Sequence, residues 1–416
     1  MESQKTVPKI NAVTCLLVFT LAICITGCES DKTPPPAEVN SPAEVNSPAE
    51  VNSPAEVSSP AEELSDDEIS KIKDKVNASG TITDEQAESL GGYDYGLELN
   101  GLTSITDEQA ASLSKVKRGL ELDGLTSITD EQAASLSKVK ILHLNGLTSM
   151  TNEQAESLIN DELFNKVEEL ELNGLTSITN VQAESLGKID KLWLNGLTSI
   201  NDEQAESLGN SDYVLELNGL TSINDEQAKG LANLTFNLQL NGLTSLTDEQ
   251  VEILSNYAAR RVLGLDGLTS ITDKQAESLS KVNAITLNGL TSITDKQATS
   301  LSKDVRLDGV ELDGLISLTD AQAESLSKIE YLSLNGLTTI TDEQAESLSK
   351  VKEYVTLNGL TSITDEQAES LTKMNAIVLN GLTSITDQQA EILSKVRNVN
   401  LNGLKSINEE QAKGLS

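Results

Sequence analysis

Cysteine is scarce in this 416-residue chain: there are three, Cys15, Cys24 and Cys28, all near one end. The first two fall in a segment expected to be removed. The remaining domain then has no thiol pair for a disulfide, a redox couple or a thiolate metal site. Histidine occurs once, as His143. There is no glycine-rich phosphate loop and no zinc-ligand spacing. Carboxylates are plentiful, but as repeated surface residues with no pocket to perturb them. The inventory predicts no enzyme, no cofactor and no metal. Aromatic residues are 2% of the chain, so any core must be filled by Leu, Ile, Val and Ala. Positive charge is outnumbered, with 30 Lys and Arg against 65 Asp and Glu for a net −35. That balance argues against nucleic acid or an anionic membrane surface as partner, and favours a cationic one.

What is present begins with a targeting segment. Lys5 and Lys9 form a basic start, and Cys15 to Ile25 is an apolar run too short for a comfortable membrane span. It ends in Ile25-Thr26-Gly27-Cys28, which resembles the lipobox of bacterial lipoproteins. The resemblance implies cleavage before Cys28, lipidation of its thiol and a cell-envelope address, and it sets aside a plain secretory signal and a transmembrane anchor. Glu29 after the cysteine leans toward the outer membrane or cell surface. The signal peptide is thus residues 1–27. Its loss removes one net positive charge (Glu2, Lys5, Lys9) and leaves −36.

Residues 28–63 repeat Pro-Ala-Glu-Val-Asn-Ser from Pro36, Pro42 and Pro48. Regular proline blocks helix and sheet, and the glutamates repel one another. This reads as a disordered tether, reaching up to about 100 Å if fully polyproline-like at about 3.1 Å per residue. Residues 64–90 read as an N-terminal cap. Ser65 with Glu68 is a capping box, and Leu64, Ile69, Ile72 and Val76 make an apolar stripe.

From 91 to 416 one phrase recurs: L-x-L-N-G-L-T-S-I-T-D-E-Q-A-E-S-L-S-K-V, with small variations. Its glycine falls every 22 to 25 residues, once every 28, from Gly101 to Gly403. A fixed period in that range is the signature of a solenoid. Leu97-Glu98-Leu99 alternates and predicts a short half-buried strand. Asn100-Gly101 reads as a turn pair, both residues tolerating positive φ. Thr106 and Gln109 write a helix start, and Ala110 and Leu113 its buried face. From each glycine to its glutamine the interval is 8 residues in every unit, so length variation falls after the helix, most of all at Ile159–Glu168.

The pattern L-x-L-x-x-L-x-x-I-T-D-x-x-A-x-x-L resembles the leucine-rich repeat family. It is most similar to the cysteine-containing subtype, with leucine, such as Leu102, at the cysteine position. The resemblance implies an α/β solenoid: an arc of about 14–15 units, parallel strands on the concave side and short helices on the convex side. It also implies recognition of a protein or another macromolecule through the concave face. The alternative is a structural or self-associating spacer, for which the bare last strand near Val399–Leu401 supplies an edge for self-association.

In this reading the strand residues between the leucines carry binding. They run Glu98, Glu121, His143, Glu171, Trp193, Glu216, Gln239, Gly264, Thr286, Glu311, Ser333, Thr356, Val378 and Asn400. The chain's one histidine and one tryptophan both fall in this column. Trp193 is expected to be exposed beside acids and to anchor an interface. Tyr331 and Tyr354, flanking their strands, form a second candidate. Glu98, Glu121, Glu171 and Glu216 predict attraction for a basic protein or surface polymer, with no nucleic acid and no membrane contact beyond the anchor. The Asn column (Asn100, Asn145 and onward, with Asp123, Asp266 and Asp313) reads as a structural ladder rather than a calcium site. The Thr-Ser pairs read as ordinary bend residues rather than an ice-binding array.

Overall fold

The structure, a computed structural model, describes residues 65–159, 167–256, 262–304 and 307–415. The signal segment 1–27, the tether 28–63, Leu64 and the lipidation candidate Cys28 lie outside the described residues, as does most of the longest insertion.

The phrase folds as its periodicities demand. Fourteen strands, β1 (Leu97–Glu98) to β14 (Asn398–Asn400), pair in chain order in one parallel sheet. Each is followed by a short helix, the first over Asp107–Leu113 and the last over Glu409–Gly414. This is an α/β solenoid, with strands lining the concave side and helices the convex side. One unit shows why it closes. Leu192 and Leu194 on the strand, Leu197 past the turn, and Ala205 and Leu208 on the helix are all 0% exposed. Stacking repeats this set along the molecule, and the alternate strand residues are left on the open face. Among the described residues no helix is long and apolar enough to cross a membrane.

Two helices precede β1, α1 (Asp66–Ser79) and α2 (Asp84–Gly91). Glu68 accepts from the Ser65 backbone N–H and hydroxyl. Ile69 and Val76 are buried. Asn77 donates its side-chain amide to the Glu98 carbonyl at 3.1 Å and accepts from Gly101 N–H at 2.8 Å, so α1 covers one edge of β1. At the other end β14 has a strand on one side, and Val399, Leu401 and Leu404 are only partly buried.

Two side-chain ladders tie unit to unit. In the first, each Asn or Asp Oδ1 from Asn100 to Asn380 accepts the backbone N–H of the equivalent residue in the next unit, at 2.8–3.1 Å. Asp123, Asp266 and Asp313 serve as well as Asn because the interaction asks only for an acceptor. In the second, each helix-start glutamine from Gln109 to Gln411 donates Nε2 to a backbone carbonyl of the preceding unit, at 2.7–3.0 Å.

The turn glycine has a different cause from the one its sequence suggests. Among the described glycines Gly80 has a positive φ, 72°, and the Asn-Gly glycines do not. They are needed because units approach closely. A Cβ on Gly196 would lie 2.3 Å from the Asn173 carbonyl oxygen and 2.5 Å from that of Leu175.

Candidate binding face

Parallel register places the variable column on one line. Glu98 pairs with Glu121, then His143, Glu171, Trp193, Glu216 and Gln239 on successive strands. The column continues through Gly264, Thr286, Glu311, Ser333, Thr356 and Val378 to Asn400. At about 4.8 Å per strand, His143 and Trp193 lie roughly 10 Å apart.

The acids are held in place. Asn100 and Asn145, whose oxygens serve the first ladder, donate Nδ2 to Glu121 at 3.0 Å and to Glu171 at 2.8 Å. Glu216 receives Asn195 at 3.3 Å and Asn218 at 3.2 Å. His143 sits between two carboxylates, Nδ1 3.8 Å from Glu121 and Nε2 3.5 Å from Glu171. Trp193 is half-buried rather than exposed, next in register to Glu216. Glu98 stands apart, exposed and 3.4 Å from Lys73 of α1.

A second column precedes the first by two residues. Here Lys191 is ion-paired with Glu169 on the neighbouring strand. Tyr331 and Tyr354 belong to this column: they are the first residues of β11 (Tyr331–Ser333) and β12 (Tyr354–Thr356), pair with each other in register and are both half-buried. The face therefore carries two groups, one around His143, Glu171, Trp193 and Glu216, the other at Tyr331 and Tyr354, five strands beyond Glu216.

Two aromatic residues outside the expected set belong beside the first group. Tyr213 and Phe236 immediately precede β6 (Val214–Glu216) and β7 (Asn237–Gln239) and stack with ring centroids 5.2 Å apart. Tyr213 is 46% exposed. Their signal in the sequence is positional: they occupy equivalent places in successive units.

Within the concave column the expectation of unperturbed carboxylates fails at two positions, Glu216 and Glu311. Burial raises the Glu216 carboxyl above its ordinary range, against the hydrogen bonds from Asn195 and Asn218. Glu311 is raised to about 7, first by burial, with Asp313 and Asp266 adding to the shift against one hydrogen bond from Asn288. Since the folded state holds this proton more tightly, stability falls as pH rises from about 4.5 to about 7. Glu311→Gln is therefore expected to stabilise the fold by about 2–3 kcal/mol at pH 8 and hardly at all at pH 4, measured by urea unfolding at both values. An equal effect at both pH values would show that Glu311 is not neutral in the fold. Among the described residues no group of three or more His, Cys, Asp or Glu side chains is arranged to hold a metal ion.

No protein-family model matches the chain, and no curated protein does. Solved structures do. An internalin, inlF, from Listeria monocytogenes matches at 16% identity and a TM-score of 0.47, over 82% of this chain and 98% of that one. A TLR13–ssRNA13 complex matches at 17% and 0.50, over 79% of this chain and 59% of the receptor chain. The leucine-rich repeat-containing protein LegL7 from Legionella pneumophila matches at 15% and 0.42, over 60% and 89%. The likeness to the TLR13 structure shows the fold alone, parallel strands and short helices stacked in an arc of the leucine-rich repeat kind.

Proposed function

We propose that this chain is an exported, lipid-anchored leucine-rich repeat protein that recognises a protein partner through its concave face, without catalysis. The observation that carries the reading is the contiguous line His143, Glu171, Trp193 and Glu216, whose acids are oriented by amides of the structural ladder. Side chains already held in place lose less entropy on binding. A tryptophan flanked by carboxylates suits a partner with basic residues around an apolar anchor. Anchoring at Cys28 and the tether of 28–63 would hold this face away from a bacterial envelope surface. Kinship with the cysteine-containing subtype is part of the same proposal, with the buried Leu102 standing where that subtype has its cysteine.

The test is a crosslinking capture from cell-envelope extract with two baits, the chain itself and a copy carrying Glu171→Ala, Trp193→Ala and Glu216→Ala. A partner retained at least tenfold better by the unaltered bait is expected, since losing one hot-spot anchor alone costs about 2 kcal/mol or more. Equal capture, or crosslinks between copies alone, would replace this reading by that of a self-associating spacer.

A further inference from the structure

The acids of the concave column are not equally satisfied. Glu121 and Glu171 each take a ladder amide at 3.0 and 2.8 Å, and Glu216 takes two amides. Glu311, on β10 (Gly309–Glu311), has a single long contact, Asn288 Nδ2 at 3.3 Å. Donors that could serve it are turned elsewhere. Ser333 on the next strand gives its hydroxyl proton to Asp313 at 2.6 Å, and Asn335 also donates to Asp313. On the other side, Thr286 of β9 (Ala284–Thr286) is in register with Glu311 and 4% exposed. Its hydroxyl is buried without a hydrogen-bond partner.

The charges around Glu311 make its state less favourable. Asp313, in the turn of its own unit, and Asp266, in the turn two units earlier, raise its proton affinity. At the far end of its strand are Asp308, itself raised by burial, then Tyr331 and Glu330, the last paired with Lys352, which acts against the Asp308 shift. From β9 the facing residues, Ala284, Thr286 and Asn288, bring no charge. A carboxylate with spare lone pairs thus lies beside an orphan hydroxyl, in negative surroundings, on the inner surface of the arc. What completes such a site is a positively charged hydrogen-bond donor. A primary ammonium brings three donors and no acceptor. A multivalent metal fits less well, as the carboxylates do not converge.

We infer that Glu311 and Thr286 form a binding position for a primary ammonium group in the middle of the concave face, supplied by a lysine side chain or by a free polyamine. The inference rests on the reading of that face as a surface for a basic partner. It adds a regulation: the position binds while Glu311 is ionised and releases as pH falls through about 7.

The experiment uses the full chain with labelled threonine methyls, titrated with spermidine or a hexalysine peptide at pH 8 and pH 6, as wild type and as Glu311→Gln. The Thr286 methyl reports this position, and the fluorescence of Trp193, the chain's single tryptophan, reports the acidic line. A saturable Thr286 shift is expected at pH 8, weaker by about tenfold at pH 6 as the ionised fraction falls, and absent in Glu311→Gln. Saturation by spermidine would identify a free polyamine as sufficient, and saturation by the peptide alone would identify a protein lysine. A Thr286 methyl that never moves, or that moves equally in Glu311→Gln, would overturn the inference. If the peptide then still perturbs Trp193, the wider reading of the face stands. If it perturbs neither, both fall.

Discussion

Gly219→Ala is expected to part the solenoid between two units, at a cost of about 3 kcal/mol or more. The added Cβ would lie 2.3 Å from the Asn195 carbonyl oxygen and 2.6 Å from that of Leu197. Both are backbone atoms, so no side chain can swing aside. Nor can the carbonyls easily retreat. The Asn195 side chain holds Asn218 N–H at 2.9 Å, and Leu197 N–H is bonded to the Leu194 carbonyl at 3.1 Å. In a solenoid each unit contacts only its neighbours, so the strain concentrates at one interface. Amide exchange should quicken on both sides of Gly219 while distant units keep their protection. Gly96→Ala is the control: a Cβ there meets nothing within 4 Å, and the substitution should be neutral or stabilising by up to about 1 kcal/mol. Equal unfolding midpoints in urea for the two variants would remove close approach as the reason for the glycine.

That glycine marks where the sequence stops being legible. The capping residues were readable because their logic is local: Thr364 and Gln367 lie three apart and bond each other's backbone as written. The strand and helix leucines were readable because alternation and helical spacing are also local. The reason for Gly219 lies in a carbonyl two dozen residues earlier, and a turn motif read alone suggests φ instead. The same limit explains the binding face. The sequence placed Trp193 in the column but not its partial burial, which depends on the neighbouring units. It placed Glu311 in the column without singling it out, because the burial that chiefly raises it comes from packing between units, and Asp266, which adds to the shift, is written two units earlier. Tyr213 and Phe236 become a pair only when units are laid in register.

The glutamine of the helix start yields the other large effect, and it explains a choice that the capping box leaves open. A capping box accepts Glu or Gln, since either side chain can receive the N-cap N–H. Every unit from Gln109 to Gln411 uses Gln. In Gln367 the oxygen accepts Thr364 N–H at 3.0 Å, while Nε2 donates to the Ile340 carbonyl of the preceding unit at 2.9 Å. Glutamate could keep the first bond and would set a charge against a carbonyl oxygen in the second. Gln367 is 7% exposed, so little water can intervene. Gln367→Glu should therefore destabilise by about 2–4 kcal/mol at pH 8, for a change of one atom at nearly constant shape. The loss should shrink toward pH 4, because a protonated carboxyl regains a donor for Ile340. Gln86 supplies the contrast within the same chain. It makes the capping box with Thr83, yet no repeat precedes it among the described residues, and it is more exposed. Gln86→Glu should be nearly neutral, since it keeps its capping role and adds a negative charge near a helix N-terminus. Equal losses in the two variants, followed by urea unfolding across this pH range, would mean that capping selects the glutamine. Unequal losses would mean that contact with the preceding unit selects it.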